Sequence, residues 1–143
     1  NVGGTATFLF NLLEGLENSK VETKLIIGNV PINEKEDSRV EQLNYQRIPG
    51  LSRAIAPIRD LLARRKLWEI VKEYQPDLIH CHTFKAGVLV RSKKTSIPII
   101  HTFHGHHLYD PDYGKFASLV LNGFALHFCG SRRYETAFVP KNR

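Results

Sequence analysis

Histidines gather behind two short apolar runs of the chain, and they are the residues best suited to carry chemistry. The first run, residues 78–79, leads into HCHT at residues 80–83, and the second, residues 97–100, leads into HTFHGHH at residues 101–107. Six of the seven histidines lie in these two segments. A histidine beside a cleft can act as a general base, hydrogen-bond a substrate hydroxyl or ligate a metal.

The elements around these segments predict how the histidines are positioned. Short apolar strands that alternate with helices are typical of a parallel sheet, and functional groups gather beyond the carboxyl ends of such strands. We therefore predict an α/β fold, an open and mostly parallel sheet with helices on both faces. Strands are expected near residues 23–28, 45–48, 77–81, 97–101 and 124–129, and helices near residues 5–17, 57–74 and 86–94. Residues 29–44 are expected to form a long loop.

The histidines do not all invite the same interpretation. His80-x-His82 resembles the strand-end pair of metal-dependent hydrolases, but such sites add further ligands and an acid from other strands. Asp110 and Asp112 follow in the next loop with nothing to fix them nearby, so we predict no metal.

Structural and functional histidines are separated by position. We expect three to cap strands or satisfy buried carbonyls: His80, His101 and His127. The functional candidates are His82 and His104, together with their neighbours Thr83, Lys85 and Gly105. Strand alternation places His104 and Thr102 on one side and His101 and Phe103 on the other.

The opening residues, NVGGT at 1–5, lead into a helical pattern. The pair Gly3 and Gly4 would let an anionic group approach free backbone N–H groups where the helix dipole favours it. An ordinary glycine-rich helix start is the alternative. Such a loop usually follows a strand, which would lie before residue 1, and the chain has no methionine. We interpret the sequence as a fragment of a longer protein.

The helix predicted at residues 57–74 begins with a proline, which suits a first turn. Seven residues are expected to form one apolar stripe: Ile58, Leu61, Leu62, Leu67, Ile70, Val71 and Tyr74. Five basic residues flank or decorate this helix: Arg53, Arg59, Arg64, Arg65 and Lys66. They are either a solvated charged face or a surface that docks on an anionic membrane.

Length and composition bound the class of protein. A chain of 143 residues with 42% hydrophobic and 24% charged residues is expected to form one domain. No apolar run approaches the roughly 18 residues of a membrane span. Two cysteines in apolar surroundings predict reduced thiols in a cytoplasmic protein. The net charge of +6 favours anionic partners such as phosphorylated sugars, lipid headgroups or nucleic acid without choosing among them.

Three segments together resemble a known family. NVGG at residues 1–4, PDLIHCHTFKAG at 76–87 and HTFHGH at 101–106 look, in order and spacing, like the N-terminal domain of family-four glycosyltransferases. The resemblance implies one Rossmann-like half of a GT-B fold, in which two domains face each other across a cleft. Residues 1–143 would form the N-terminal, acceptor-side half. The first strand and the C-terminal, donor-binding domain would be absent, so the fragment alone would be inactive.

The resemblance also assigns roles by position. Gly3 and Gly4, followed by Thr5, match the loop facing the donor diphosphate or an acceptor phosphate. His104 matches the histidine near the reacting sugar, which contacts its hydroxyl or the developing charge. The substrate-binding positions would be Thr5, His82, Thr83, Lys85 and Gly105, where Lys85 meets an anionic acceptor or the diphosphate.

By the same resemblance, the full-length protein would transfer a sugar, with retention, from a nucleoside diphosphate sugar to a sugar or lipid-linked acceptor. The expected setting is cell-envelope polysaccharide or glycolipid synthesis, in the cytoplasm or peripherally on the inner face of the membrane. The nucleotide sugar is a substrate, and neither a cofactor, a metal nor nucleic acid is implied. Two alternatives stay open: a non-hydrolysing sugar-nucleotide epimerase of the same fold, and a non-catalytic module that binds an anionic glycan or lipid.

Overall fold

A computed structural model describes residues 4–52, 56–102 and 104. In chain order, the elements are α1 (Gly4–Glu17), β1 (Leu25–Ile27), a 3-10 helix (Ser38–Gln42), β2 (Tyr45–Arg47), α2 (Pro57–Tyr74), β3 (Ile79–Cys81), α3 (Phe84–Arg91) and β4 (Ile99–His101). The described residues fall into two compact units, one ending at Ile70 and the other starting at Val71, so the division lies inside α2.

The first unit contains a parallel pair of strands. Residue pairs Leu25 and Tyr45, Ile26 and Gln46, and Ile27 and Arg47 face each other across β1 and β2. The intervening loop, predicted to be irregular, includes the 3-10 helix, which starts where the buried Asp37 accepts a hydrogen bond of 3.1 Å from the Arg39 amide. The Arg39 guanidinium also pairs with Asp37 and lies 4.2 Å above the ring of Phe10. These contacts order a loop whose sequence has no helical or strand period.

Helix α2 has the predicted bounds, but the prediction of a single apolar stripe is wrong. Leu67, Ile70 and Val71 are buried, whereas Ile58, Leu61 and Leu62 are exposed. The reason is helical geometry: Leu67 follows Leu62 by five residues, which at about 100° per residue turns it some 140° away. Two apolar faces therefore follow one another along α2, and only the second lies in the core. Arg53 lies outside the described residues.

The second unit is built on β3 and β4, which run parallel with Ile79 opposite Ile99 and Cys81 opposite His101. This confirms the predicted pairing of the two strands that precede the histidine segments. Helix α3 connects them and contacts β3. It begins two residues earlier than predicted because the Thr83 side chain caps it by accepting from the Ala86 amide. The buried residues of this second unit include Cys81, Leu89, Val90 and Ile99.

The α/β class and the parallel pairing are confirmed. Each sheet has two strands among the described residues, and the strand predicted at residues 124–129 lies outside them. The single open sheet, the helices on both faces and the GT-B arrangement stay predictions. No helix in the described part of the chain is long and apolar enough to cross a membrane.

Candidate functional site

The carboxyl ends of β3 and β4 bring four polar side chains into two pairs. Nε2 of His80 lies 2.8 Å from Oγ1 of Thr102, and Nδ1 of His82 lies 3.4 Å from Nε2 of His104. Both pairs join residues 22 positions apart, because they follow the register of the same two parallel strands. Side chains at every second position share one side of a strand, so one side of this sheet end presents an almost continuous row of imidazoles.

His101 points to the other side, as strand alternation predicted. Its side chain is buried, with 8% of the residue exposed, and its Nε2 lies 3.0 Å from the backbone oxygen of Thr83. The ring sits against Gly87 of α3: a Cβ built there would lie 2.7 Å from Nε2 and closer still to Cε1 and Nδ1. His101 therefore joins the start of α3 to β4, which is a structural role. His80 is half-buried, and His127 lies outside the described residues.

The three imidazoles on the first side are close enough to affect each other's charge. The ring centroids of His80 and His82 lie 4.0 Å apart, and those of His82 and His104 lie 5.6 Å apart with the rings stacked. Burial, and then the proximity of His80, His104 and His101, lowers the pKa of His82 to about 4. Burial also lowers the pKa values of His80 and His104.

Because the pKa values of His80, His82 and His104 are lowered from 6.5, these three imidazoles are neutral at neutral pH. Each has one N–H donor and one acceptor nitrogen, so the contact between His82 and His104 requires one ring to donate and the other to accept. This fixes the tautomer of one ring relative to the other. His104 is the exposed member of the pair. It can exchange a hydrogen bond or a proton with a hydroxyl, but at neutral pH it does not provide a standing positive charge.

Thr83 and Lys85 lie at the start of α3, beside the same sheet end. The Thr83 hydroxyl is already committed to capping, at 3.3 Å from the Ala86 amide. Lys85 is half-buried in the first turn of α3, where no acidic residue balances the helix dipole. The N-terminal end of a helix dipole is positive, as is the Lys85 ammonium group. Both therefore attract an approaching anion.

The glycine loop belongs to the first unit. Gly4 is the first residue of α1 and is exposed, with no atom within 4 Å of a Cβ built on it, and the half-buried Thr5 follows. Gly3 and Gly105 lie outside the described residues. Of the predicted site residues, the structure therefore brings His82 and His104 together, with Thr83 and Lys85 beginning the helix that follows β3.

Two residues that shape this site are not predicted from the sequence. Strand alternation gives the side of Thr102 but no partner for it, although its distance of 22 residues from His80 repeats that between His82 and His104. Gly87 belongs to the segment at residues 76–87, and nothing in the sequence indicates that a ring from β4 occupies the space of its missing side chain. Among residues 4–52, 56–102 and 104, no group of three or more His, Cys, Asp or Glu is arranged to hold a metal ion.

Comparison with known proteins identifies the family of this chain. The chain is 33% identical over 61 residues to UDP-Gal:alpha-D-GlcNAc-diphosphoundecaprenol alpha-1,3-galactosyltransferase of Escherichia coli. The matched stretch is 41% of this chain and only 16% of that relative. No solved structure gives a significant match. The sequence model of Glycosyltransferase Family 4 matches residues 2–135, which include both histidine segments. The chain therefore belongs to glycosyltransferase family 4.

Proposed function

We propose that this chain is the acceptor-side, N-terminal domain of a retaining GT-B glycosyltransferase that uses a nucleoside diphosphate sugar. Family membership over residues 2–135 supports the reaction class. The main support for the site is the contact between His82 and His104. The His104 imidazole is exposed and neutral, and it lies at the end of the row of imidazoles that follows the two parallel strands. A sugar hydroxyl is the kind of group that such an imidazole can bind.

In the proposed reaction, an acceptor hydroxyl forms a bond to the anomeric carbon of the donor sugar while the bond from that carbon to the diphosphate breaks. The bonding electrons leave with the nucleoside diphosphate, and the hydroxyl proton passes to a phosphate oxygen or to solvent. His104 binds and orients a sugar hydroxyl, and His82 fixes the orientation of His104. Lys85 is the group proposed to stabilise the leaving diphosphate.

The proposed acceptor is a lipid-linked sugar of the cell envelope. The support is the relative from Escherichia coli, whose name describes a galactosyl transfer to GlcNAc-diphosphoundecaprenol. We place the enzyme in the cytoplasm, peripherally associated with the membrane. The net charge of +6 is compatible with an acceptor that carries a diphosphate.

The test is nucleoside diphosphate release by the full-length protein that contains this chain, assayed with a panel of nucleotide sugars. Release that depends on a lipid-linked acceptor is the expected result. Interconversion of the donor sugar without acceptor would identify an epimerase instead. Binding of the acceptor with no turnover of any donor would identify a non-catalytic module.

The roles of the two neighbouring histidines provide a sharper test. His104→Ala should lower kcat by about 100-fold or more, as expected on losing a positioned hydrogen-bonding group, and leave the melting temperature almost unchanged. The matched control is His101→Ala on the opposite side of the same strand, which should lower the melting temperature. Intact turnover in His104→Ala, with turnover lost in a fully folded His101→Ala, would reverse the assignment.

A further inference from the structure

The exposed face at the start of α2 consists of large aliphatic side chains. Ile58 is 78% exposed, Leu61 60% and Leu62 61%. Their spacing of three and four residues places them on one side of the helix, within about 100° of arc. Single exposed apolar residues are ordinary on a protein surface, but a contiguous group of them usually marks an interaction site. We call these three residues the aliphatic cluster.

The rotation of α2 that exposes the aliphatic cluster is fixed by packing. Ala63 on the opposite side is buried, and a Cβ built on Gly50 would lie 3.0 Å from the Cβ of Ala63 and 2.7 Å from the backbone oxygen of Arg59. The helix backbone therefore lies directly against the backbone at Gly50. Turning α2 to bury the aliphatic cluster would withdraw Ala63 from this contact, so the cluster is a stable feature of the surface.

Basic side chains border the aliphatic cluster. Arg59 is exposed, and the side chains of Arg65 and Lys66 are 81% and 57% exposed. Residues 57–74 contain five basic and three acidic residues, a net charge of +2. Arg65 and Lys66 both contact Glu69, at 3.3 Å and 3.4 Å. Exposed pairs of this length contribute little to stability, so they compete weakly with an external phosphate.

The chemistry of this face selects one kind of partner. Protein interfaces are typically centred on Trp, Tyr and Arg, whereas the aliphatic cluster has no aromatic residue. Aliphatic side chains bordered by Lys and Arg are the composition of a helix that lies in the headgroup region of a bilayer. Because the border is basic, the complementary surface carries anionic headgroups.

We propose that the first two turns of α2 dock on an anionic lipid bilayer, with Ile58, Leu61 and Leu62 inserted below the headgroups and Arg59, Arg65 and Lys66 on the phosphates. All residues of the docking face belong to α2. Its use in presenting a membrane-embedded acceptor rests on the proposed function and deepens it. Neither the aliphatic insertion nor the basic border is enough alone, since stable peripheral attachment usually needs two signals. Together they supply both.

The experiment is vesicle co-sedimentation of the full-length protein with phosphatidylcholine vesicles, with and without phosphatidylglycerol. The wild type should bind the anionic vesicles only. Ile58→Ser/Leu61→Ser/Leu62→Ser should abolish binding. Arg65→Gln/Lys66→Gln should weaken it by about 30-fold, from about 1 kcal/mol per basic residue near the surface.

Matched controls separate this face from general surface effects. Val21→Ser/Ile32→Ser removes two other exposed aliphatic side chains, and Lys20→Gln/Lys24→Gln removes two other exposed cations; both variants should bind as the wild type does. The proposal is overturned if the α2 variants bind as the wild type does, if the controls lose binding equally, or if neutral vesicles bind as well as anionic ones. It is also overturned if sedimentation velocity shows a dimer that the triple variant dissociates, since a second copy would then cover the face.

The activity assay distinguishes failure of docking from failure of the proposed function. With a water-soluble acceptor analogue, the triple variant should turn over like the wild type, whereas with acceptor embedded in anionic vesicles it should lose most of its rate. Vesicle binding without any nucleoside diphosphate release would refute the proposed function and leave the docking face standing. Equal loss of rate with both acceptors would refute the link between docking and acceptor presentation.

Discussion

Gly87→Ala tests whether the close packing of His101 against α3 holds this unit together. In an ordinary helix the substitution should stabilise by up to about 1 kcal/mol, because alanine has the higher helix propensity. Here the new methyl group would overlap the imidazole of His101. No described glycine has a positive φ, so the requirement at this position is for space and not for backbone conformation.

The expected magnitude follows from what the ring loses when it moves. Forcing an extra methyl group into a packed core costs about 1–3 kcal/mol. Displacing the ring also breaks the hydrogen bond between His101 and the Thr83 oxygen, worth about 1 kcal/mol. Set against the propensity gain, the net result should be a destabilisation of about 1–3 kcal/mol.

The matched control is Gly15→Ala in α1, where no atom lies within 4 Å of the added Cβ. This variant should be stabilised by up to about 1 kcal/mol. Thermal melting of the protein gives the comparison, and amide hydrogen exchange should localise the loss in Gly87→Ala to β3, α3 and β4. Equal stabilisation by both substitutions would refute the packing argument. So would strict additivity with His101→Ala, because residues in contact should show an interaction energy.

Two further predictions concern ionisation. The pKa of His82 is about 4 in the folded chain against an ordinary value of 6.5, so as pH falls the unfolded chain takes up the proton first. The free energy of unfolding is therefore not reduced by His82 above pH 6.5 and should fall as the pH drops from 6.5 towards 4, which melting temperature measured against pH will show. His82→Gln should flatten this slope. An unchanged slope would contradict the lowered pKa of His82. Burial raises the pKa of the Cys81 thiol to about 12, so this thiol should resist iodoacetamide at pH 8 in the native protein and react on unfolding. Peptide mapping measures the labelling. Rapid labelling of Cys81 in the native protein would contradict the prediction, because it would show that the thiol is accessible.

The positions of the site histidines were predictable because they depend on strand geometry. Period-two alternation separated His104 from His101, and two apolar runs with a helix between them predicted parallel neighbours. The roles of His82 and His104 in binding or catalysis stay predictions. The contact between Gly87 and His101 was not predictable, since it depends on how closely α3 approaches β4, which no local pattern specifies.

The facing of α2 shows a different limit. Residues 58, 61 and 62 have the same helical spacing as residues 67, 70 and 71, so each group predicts an apolar face equally well. The five-residue step between the groups turns them to different sides, and their periodicity does not tell which side meets the core. Burial of Ala63 against Gly50 decides it. A small side chain at the closest backbone approach contributes almost nothing to an apolar periodicity.

The register of β3 and β4 has a consequence for how this segment tolerates insertions and deletions. The pairs His80 with Thr102 and His82 with His104 depend on which strand residues face each other, and not on the length of chain between the strands. A residue gained or lost in the turn at residues 93–96, after α3, leaves the row of imidazoles intact. A residue gained or lost between His101 and His104 moves the His104 imidazole to the other side of the sheet. Length variation is therefore expected in the turn, and none within the histidine segments.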